Sequence, residues 1–156
     1  MKIGIVMGST SDWGVVKGAV EILKSFGVEH EVKVLSAHRT PHELESWVSD
    51  LRERGFAAVI AAAGGAAHLA GVVAAFTTLP VIGVPIKGSA FEGTDSLLSM
   101  VQMPSGIPVA VVAVNGAKNA ALLAIEILAV TDLKLKEKMD NFRKEQAEKV
   151  LASVLD

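Results

Sequence analysis

Residues 55 to 86 read GFAAVIAAAGGAAHLAGVVAAFTTLPVIGVPI, and no Asp, Glu, Lys or Arg occurs among them. So long a charge-free stretch is either a membrane span or the middle of a protein core. A span needs about 20 uninterrupted apolar residues, whereas Gly64, Gly65, Gly71, Pro80, Gly83 and Pro85 divide this stretch into short pieces. AAVIAAA (57–63) and LPVIGVP (79–85) are runs of strand length, and AAHLAGVVAAFTT (66–78) between them has helical length. Both strands are apolar on both faces, so they belong in a parallel sheet covered on each side.

The same alternation extends in both directions. KIGIVM (2–7) and EVKVL (31–35) precede the central unit and VAVVAV (109–114) follows it. Helices are expected near residues 12–26, 41–54, 67–78, 94–103 and 117–130. Five strands alternating with helices predict one α/β domain over residues 1–156: a doubly wound, parallel five-stranded sheet in a flavodoxin-like three-layer sandwich. Right-handed crossovers give the expected strand order 2-1-3-4-5. A further C-terminal helix, from about 131 to 155, exceeds what five strands require and is expected to pack on a neighbouring subunit.

Two of the helices lack a water-facing side. AAHLAGVVAAFTT carries no charge and AALLAIEILAV (120–130) carries only Glu126. A surface helix shows a polar face, so an oligomer is expected, although deep burial within one chain would leave the same pattern.

Fifteen Lys and Arg against seventeen Asp and Glu give a net charge of -2. That balance lacks the basic surplus with which proteins hold nucleic acid, and neither nucleic acid nor a membrane is expected as a partner. With no cysteine there is no disulfide, thiolate ligand or thiol nucleophile, which fits a cytoplasmic location. MKIGIVMGS reads as a first strand and not as a signal peptide.

In an open parallel sheet the ligand crevice lies beyond the carboxyl ends of the strands. The segments that follow the strands are Gly8-Ser9-Thr10-Ser11-Asp12, Ser36-Ala37-His38-Arg39, Gly64-Gly65-Ala66-Ala67-His68, Lys87-Gly88-Ser89 and Asn115-Gly116-Ala117-Lys118-Asn119. The first joins a glycine turn to hydroxyls and a helix start, which suits a phosphate, with Asp12 able to accept from sugar hydroxyls. Equally, Ser11 could cap the helix and Asp12 complement its dipole.

Arg39 has the planar fork that matches a phosphate, or it makes an ordinary ion pair. His38 is of the one side-chain type suited to both giving and taking a proton near neutrality, or it is structural. His38 and His42 do not share a helical face because Pro41 opens the helix between them, and HELES lacks the second His of a zinc protease motif. No metal is expected. The chain also has no Walker loop, no G-x-G-x-x-G after a strand and no G-x-S-x-G elbow. GGAAHLAG offers backbone amides around a small apolar space, fit for a planar ring or a carboxylate.

Taken together, MGSTSDW (7–13), SAHRTP (36–41), AGGAAHL (63–69), GVP (83–85), DSLLSMVQMPSGIPV (95–109) and KNAALLA (118–124) resemble the class I PurE family. Those proteins are N5-carboxyaminoimidazole ribonucleotide mutases of purine biosynthesis. The resemblance implies a carboxylate shift from an exocyclic nitrogen to a ring carbon, with no metal or organic cofactor. It implies a ribonucleotide bound by Ser9, Asp12 and Arg39, with Ser11 and Ser36 adding phosphate contacts and Gly8 and Ala37 also in the substrate site. His38 would transfer the proton, and Gly64, Gly65, His68 and Leu69 would line the base pocket.

It also implies a homo-octamer with Gln102-Met103-Pro104 near the subunit contacts, and transient contact with the synthetase that makes the substrate. Two departures stand out. Ala70 replaces a common Pro, and KGSAFEG (87–93) replaces the usual loop, bringing Glu92 toward the site. The alternatives are a class II carboxylase that uses carbon dioxide directly, typically with Lys after SAH, and a non-catalytic nucleotide-binding module on the same fold.

Overall fold

The computed structural model describes residues 1–88 and 90–154. Ser89 in the loop after the fourth strand, and the last residue of the expected C-terminal helix, Leu155, lie outside the described residues. The elements in chain order are β1 (Lys2–Met7), α1 (Trp13–Phe26), β2 (His30–Val34), α2 (Pro41–Ser49), β3 (Phe56–Gly64) and α3 (Leu69–Phe76). They continue with β4 (Val81–Ile86), α4 (Thr94–Val101), β5 (Ala110–Val111), α5 (Ala117–Ala129) and α6 (Leu133–Leu151). All pairings are parallel, in the order β2-β1-β3-β4-β5. This is the flavodoxin-like order that the crossovers predict.

The charge-free stretch forms the centre of the molecule. Val59, Ile60, Ala61 and Ala62 of β3 and Val81, Ile82 and Val84 of β4 are buried, and helices cover both faces. One core unites alternate strand residues such as Ile3, Ile5, Ile60 and Ile82 with α1 and α5. The other unites Val6, Val59 and Ala61 with α2, α3 and Met100 of α4. Alternation along each strand divides the side chains between the two layers.

β5 is much shorter than VAVVAV predicts. Ile82 pairs with Ala110 and Gly83 with Val111, and Val112 N donates to Gly83 O at 3.1 Å. The next donor on that side of β4 is Pro85, which has no N–H, so the ladder stops. Only Asn115 N returns, donating to Pro85 O at 2.8 Å. α3 is also shorter at its start, because His68 N donates to Ala66 O at 2.8 Å in a turn that delays the helix to Leu69. Ala70, fully buried, continues the helix without a proline.

The helices that lacked a polar face differ in their surroundings. α5 is covered within its own chain, because Leu122, Leu123 and Ile127 pack with Leu135, Met139 and Phe142 of α6. Phe142 meets Phe26 of α1 edge to face, with ring centroids 5.6 Å apart, and Lys138 Nζ donates to Phe26 O at 2.8 Å. The first half of α6 thus packs on its own chain, whereas the sequence pattern places it on a neighbour. Its far end does not, and Val150, Leu151 and Val154 stand exposed. α3 keeps Phe76 partly open. No helix among the described residues is long and apolar enough to cross a membrane.

Candidate active site

The rim at the carboxyl ends of β1 to β4 encloses a cavity of about 340 Å³, within the range of small-molecule sites. Each residue expected at the site lines it: Gly8, Ser9, Ser11, Asp12, Ser36, Ala37, His38, Arg39, Gly64, Gly65, His68 and Leu69. A larger concavity of about 860 Å³ lies near the opposite end of β4, bordered by Thr77 to Val81 and by Gly106 to Pro108. Apart from Arg52 and Glu53 it carries no charged side chain, whereas the smaller one gathers Asp12, His38, Arg39, His68 and Lys87.

After β1 the chain makes a 3-10 turn, Thr10–Asp12, capped by Ser9 rather than Ser11. Ser9 Oγ accepts from Ser11 N at 3.3 Å, and Ser9 N donates to Asp12 Oδ2 at 3.2 Å. Ser11 Oγ lies 2.9 Å from Ser9 Oγ and 3.3 Å from Asp12 Oδ1. Asp12 is nearly buried at 8 % exposure. Burial pushes its carboxyl above the usual aspartate range, against the opposing pull of the Ser11 and Ser9 hydrogen bonds and of the Arg39 charge. An added donor from a ligand hydroxyl would relieve that cost.

After β2 a tight turn forms around Ser36. Thr40 Oγ1 accepts from Ser36 N at 2.8 Å, and Thr40 N donates to Ser36 O at 3.0 Å. Ser36 Oγ accepts from His38 N at 3.3 Å, Arg39 N at 3.2 Å and Arg39 Nε at 3.3 Å. Arg39 Nη2 reaches across to Gly8 O at 2.7 Å, so the guanidinium ties the β2 loop to the β1 loop before any ligand arrives. Pro41 then opens α2.

After β3, Gly65 takes φ 63° with open space where a side chain would stand. That positive φ is a conformation glycine adopts at no steric cost. The turn carries His68 back over the site, where its Nδ1 and His38 Nε2 share a hydrogen bond at 2.9 Å. The two rings stand edge to face, with centroids 5.0 Å apart and planes at 88°. Both histidines follow strands in the sequence and so belong on the rim, but nothing local to either signals this pairing, which spans the β1 strand between them.

Lys87 and Gly88 after β4, with Ile86, Ala63 and Ala66, complete the lining. Only the position of Lys87 after a strand hinted at that. Gln102, Met103 and Pro104 do not line this cavity. Met103 instead packs its Sδ 3.0 Å from where a side chain on Gly71 of α3 would begin.

The model of the AIR carboxylase family matches residues 2–149. An N5-carboxyaminoimidazole ribonucleotide mutase of Vibrio vulnificus is 56% identical over 155 residues, covering 98% of this chain and 96% of its own. A protein of the same name from Pyrococcus abyssi is 57% identical over 144 residues, covering 92% and 83%. The phosphoribosylaminoimidazole carboxylase of Saccharomyces cerevisiae is 54% identical over 149 residues, but this chain spans only 26% of its length. Among solved structures, a Treponema denticola PurE superposes with a TM-score of 0.85 at 31% identity, covering 96% of this chain and 93% of that one. Fold and site define a flavodoxin-like α/β protein with a ligand crevice beyond its strands. The chain belongs to the AIR carboxylase family, and within it to the PurE enzymes.

Proposed function

We propose that this enzyme of purine biosynthesis moves the carboxylate of N5-carboxyaminoimidazole ribonucleotide from the exocyclic nitrogen to C4 of the ring, giving 4-carboxy-5-aminoimidazole ribonucleotide. The observation that carries the reading is a proton-transfer group and an anion fork, His38 and Arg39, on one cavity whose far side is built from Gly64, Gly65 and His68. Mutase-named relatives that match nearly the whole chain support it.

Arg39, Ser9, Ser11 and Ser36 take the phosphate, and Asp12 accepts from the ribose hydroxyls. Gly8 and Ala37 let the nucleotide approach the backbone. The base lies against Gly64, Gly65, Leu69 and His68. His38 donates a proton to the carbamate nitrogen, the N–C bond breaks, and carbon dioxide leaves. The C4 carbon attacks that carbon dioxide, and His38 then removes the C4 proton, which restores aromaticity. One proton is given and one is taken back, so the histidine ends as it began. No metal or organic cofactor enters the scheme.

Free carbon dioxide must be held away from water between the two steps. In the single chain His38, Arg39 and His68 are exposed, so the cavity needs a cover. A neighbouring subunit in a homo-octamer supplies it, with the free end of α6 as one contact. The enzyme works in the cytoplasm and receives its labile substrate during transient contact with the synthetase that makes it.

A second reading, direct carboxylation of aminoimidazole ribonucleotide by carbon dioxide, is favoured by the name of the yeast relative. The deciding assay supplies the N-carboxylated nucleotide in buffer stripped of bicarbonate. Rapid conversion supports the mutase, and conversion of only the uncarboxylated nucleotide at high bicarbonate supports the carboxylase. A His38→Asn variant that binds nucleotide without turning it over is expected from either, and wild-type turnover in that variant removes both.

A further inference from the structure

Lys87 is the one lining residue whose charge the proposed scheme leaves without a task. Its ammonium is paired with Glu92, five residues on in the same loop, and both side chains are more than half exposed, at 51% and 68%. A pair so open to water is weakly held. The backbone around it is firmly held. Lys87 N donates to Asn115 Oδ1 at 2.9 Å, and Ser96 Oγ, fully buried, donates to Ile86 O at 2.9 Å. Glu92 itself has φ 55°, in the left-handed region that non-glycine residues seldom enter. The loop thus fixes the base of the lysine and presents to its ammonium a carboxylate that is cheap to displace.

The cavity spans four adjacent strands in the order β2-β1-β3-β4, with Arg39 following β2 and Lys87 following β4. Three strand spacings of about 4.8 Å separate the bases of those two side chains by roughly 14 Å, and Arg39 Nη2 is held at the β1 loop by Gly8 O, so the two cations approach the cavity from opposite sides. A carboxylated nucleotide has two anionic ends. With the phosphate at Arg39, the carboxylate is left toward β3 and β4.

We propose that Lys87 is a specificity-determining residue that binds the carboxylate of the carboxylated imidazole nucleotide, and that Glu92 holds this ammonium in the empty site and yields it when that carboxylate arrives. The exchange is carboxylate for carboxylate, so no proton moves and the net charge of the loop changes only by the arriving ligand. It rests on the functional reading above. It adds a means of telling carboxylated from uncarboxylated nucleotides, which share phosphate, ribose and ring.

Isothermal titration of the intact protein with 4-carboxy-5-aminoimidazole ribonucleotide and with aminoimidazole ribonucleotide tests it. For Lys87→Gln, affinity for the carboxylated nucleotide is expected to fall about tenfold or more, as for loss of a charge-assisted hydrogen bond, with the uncarboxylated one unchanged within about twofold. For Glu92→Gln, the carboxylated nucleotide is expected to bind severalfold more tightly, because its competitor is gone.

Equal weakening of both nucleotides in Lys87→Gln would make the lysine a phosphate anchor and overturn the proposal. So would no weakening of either, or Glu92→Gln binding the carboxylated nucleotide no better. Wild-type protein that isomerises the N-carboxylated nucleotide while Lys87→Gln keeps wild-type discrimination sinks this inference alone. Wild-type protein that neither binds nor isomerises carboxylated nucleotides sinks the functional reading with it.

Discussion

His38 Nε2 and His68 Nδ1 lie 2.9 Å apart and share one hydrogen bond. Such a bond needs an N–H on one ring and a lone pair on the other, so the two imidazoles cannot both present a proton to each other. Protonation at one ring therefore dictates the tautomer of its neighbour. A ligand that engages His38 Nε2 must first take it from His68, or use the other ring nitrogen.

His68 is accordingly expected to position His38, over and above lining the base pocket. His68→Asn keeps a hydrogen-bonding side chain but removes the imidazole. Its kcat should fall roughly a hundredfold, the low end of what proton transfer contributes, a loss larger than the rise in KM from the altered pocket lining. A merely structural role would instead lower the folding stability and leave the shape of the pH–rate profile intact. An altered acid or basic limb in the variant distinguishes the two.

Arg39 braces the two loops in addition to its proposed phosphate role, since its Nη2 holds Gly8 O at 2.7 Å and its Nε lies 3.3 Å from Ser36 Oγ. Arg39→Lys keeps the charge and loses the fork. Nucleotide affinity should drop by about 2 kcal/mol, roughly 30-fold, in Arg39→Ala, and by less in the lysine variant. Titration with product nucleotide measures both, and equal affinities for Arg39→Ala and wild type would remove the phosphate assignment.

Asp12 links the site to folding. Its folded-state pKa is raised above 3.8 by burial, so the folded chain holds the proton more tightly than the unfolded one. Stability is then fullest below the unfolded value and declines as pH rises through the folded value. Asp12→Asn removes that decline and can still accept from Ser9 N. Denaturant unfolding should find the variant at least as stable as wild type at pH 7, with any advantage vanishing toward pH 4, while ribonucleotide binding weakens. A variant less stable than wild type at pH 7 but not at pH 4 contradicts the assignment.

Glu31 carries the opposite sign. Trp47 Nε1 donates to its Oε1 at 2.8 Å and Arg54 Nη2 to its Oε2 at 2.5 Å. The tryptophan bond first, and then the arginine, hold the carboxyl below its usual 4.5. The associated stability is present above that unfolded value and is lost as pH falls through the lower folded one. Trp47→Phe should cost about 1 kcal/mol at neutral pH, and the deficit should shrink in acid. Unfolding curves at two pH values decide it, and a deficit independent of pH would assign the loss to packing.

How far the fold could be read from residues alone follows from what each segment must satisfy. β3 and β4 were legible because strands buried on both faces cannot carry charge, and residues 55–86 carry none. The length of β5 is not legible, because VAVVAV is equally apolar throughout while only Ala110–Val111 pair. What limits it is the missing N–H of Pro85 on the partner strand, a feature of pairing and not of the run itself. The rim residues were legible because topology sends every loop after a parallel strand to one edge. The His38–His68 contact was not, since the separation of two side chains across β1 has no trace in local sequence. α5 shows no polar face because α6 of the same chain covers it, so its composition alone is no sign of an oligomer.

The stronger sign is the far end of α6 and the residues just past it, where Val150, Leu151 and Val154 are 73%, 85% and 87% exposed although the first half of the helix is packed. Three large apolar side chains so placed gain nothing from their own subunit, and burying one is worth roughly 1.5–3 kcal/mol. If a neighbouring copy buries them, replacing Val150 and Leu151 together by Glu should shift the mass measured by light scattering to smaller species without melting the domain, because neither touches the core. It should also lower turnover, since an assembly that covers His38, Arg39 and His68 would be opened. An unchanged mass in that variant would free α6 from any part in assembly, and a wild-type protein that scatters as a monomer would remove the assembly altogether.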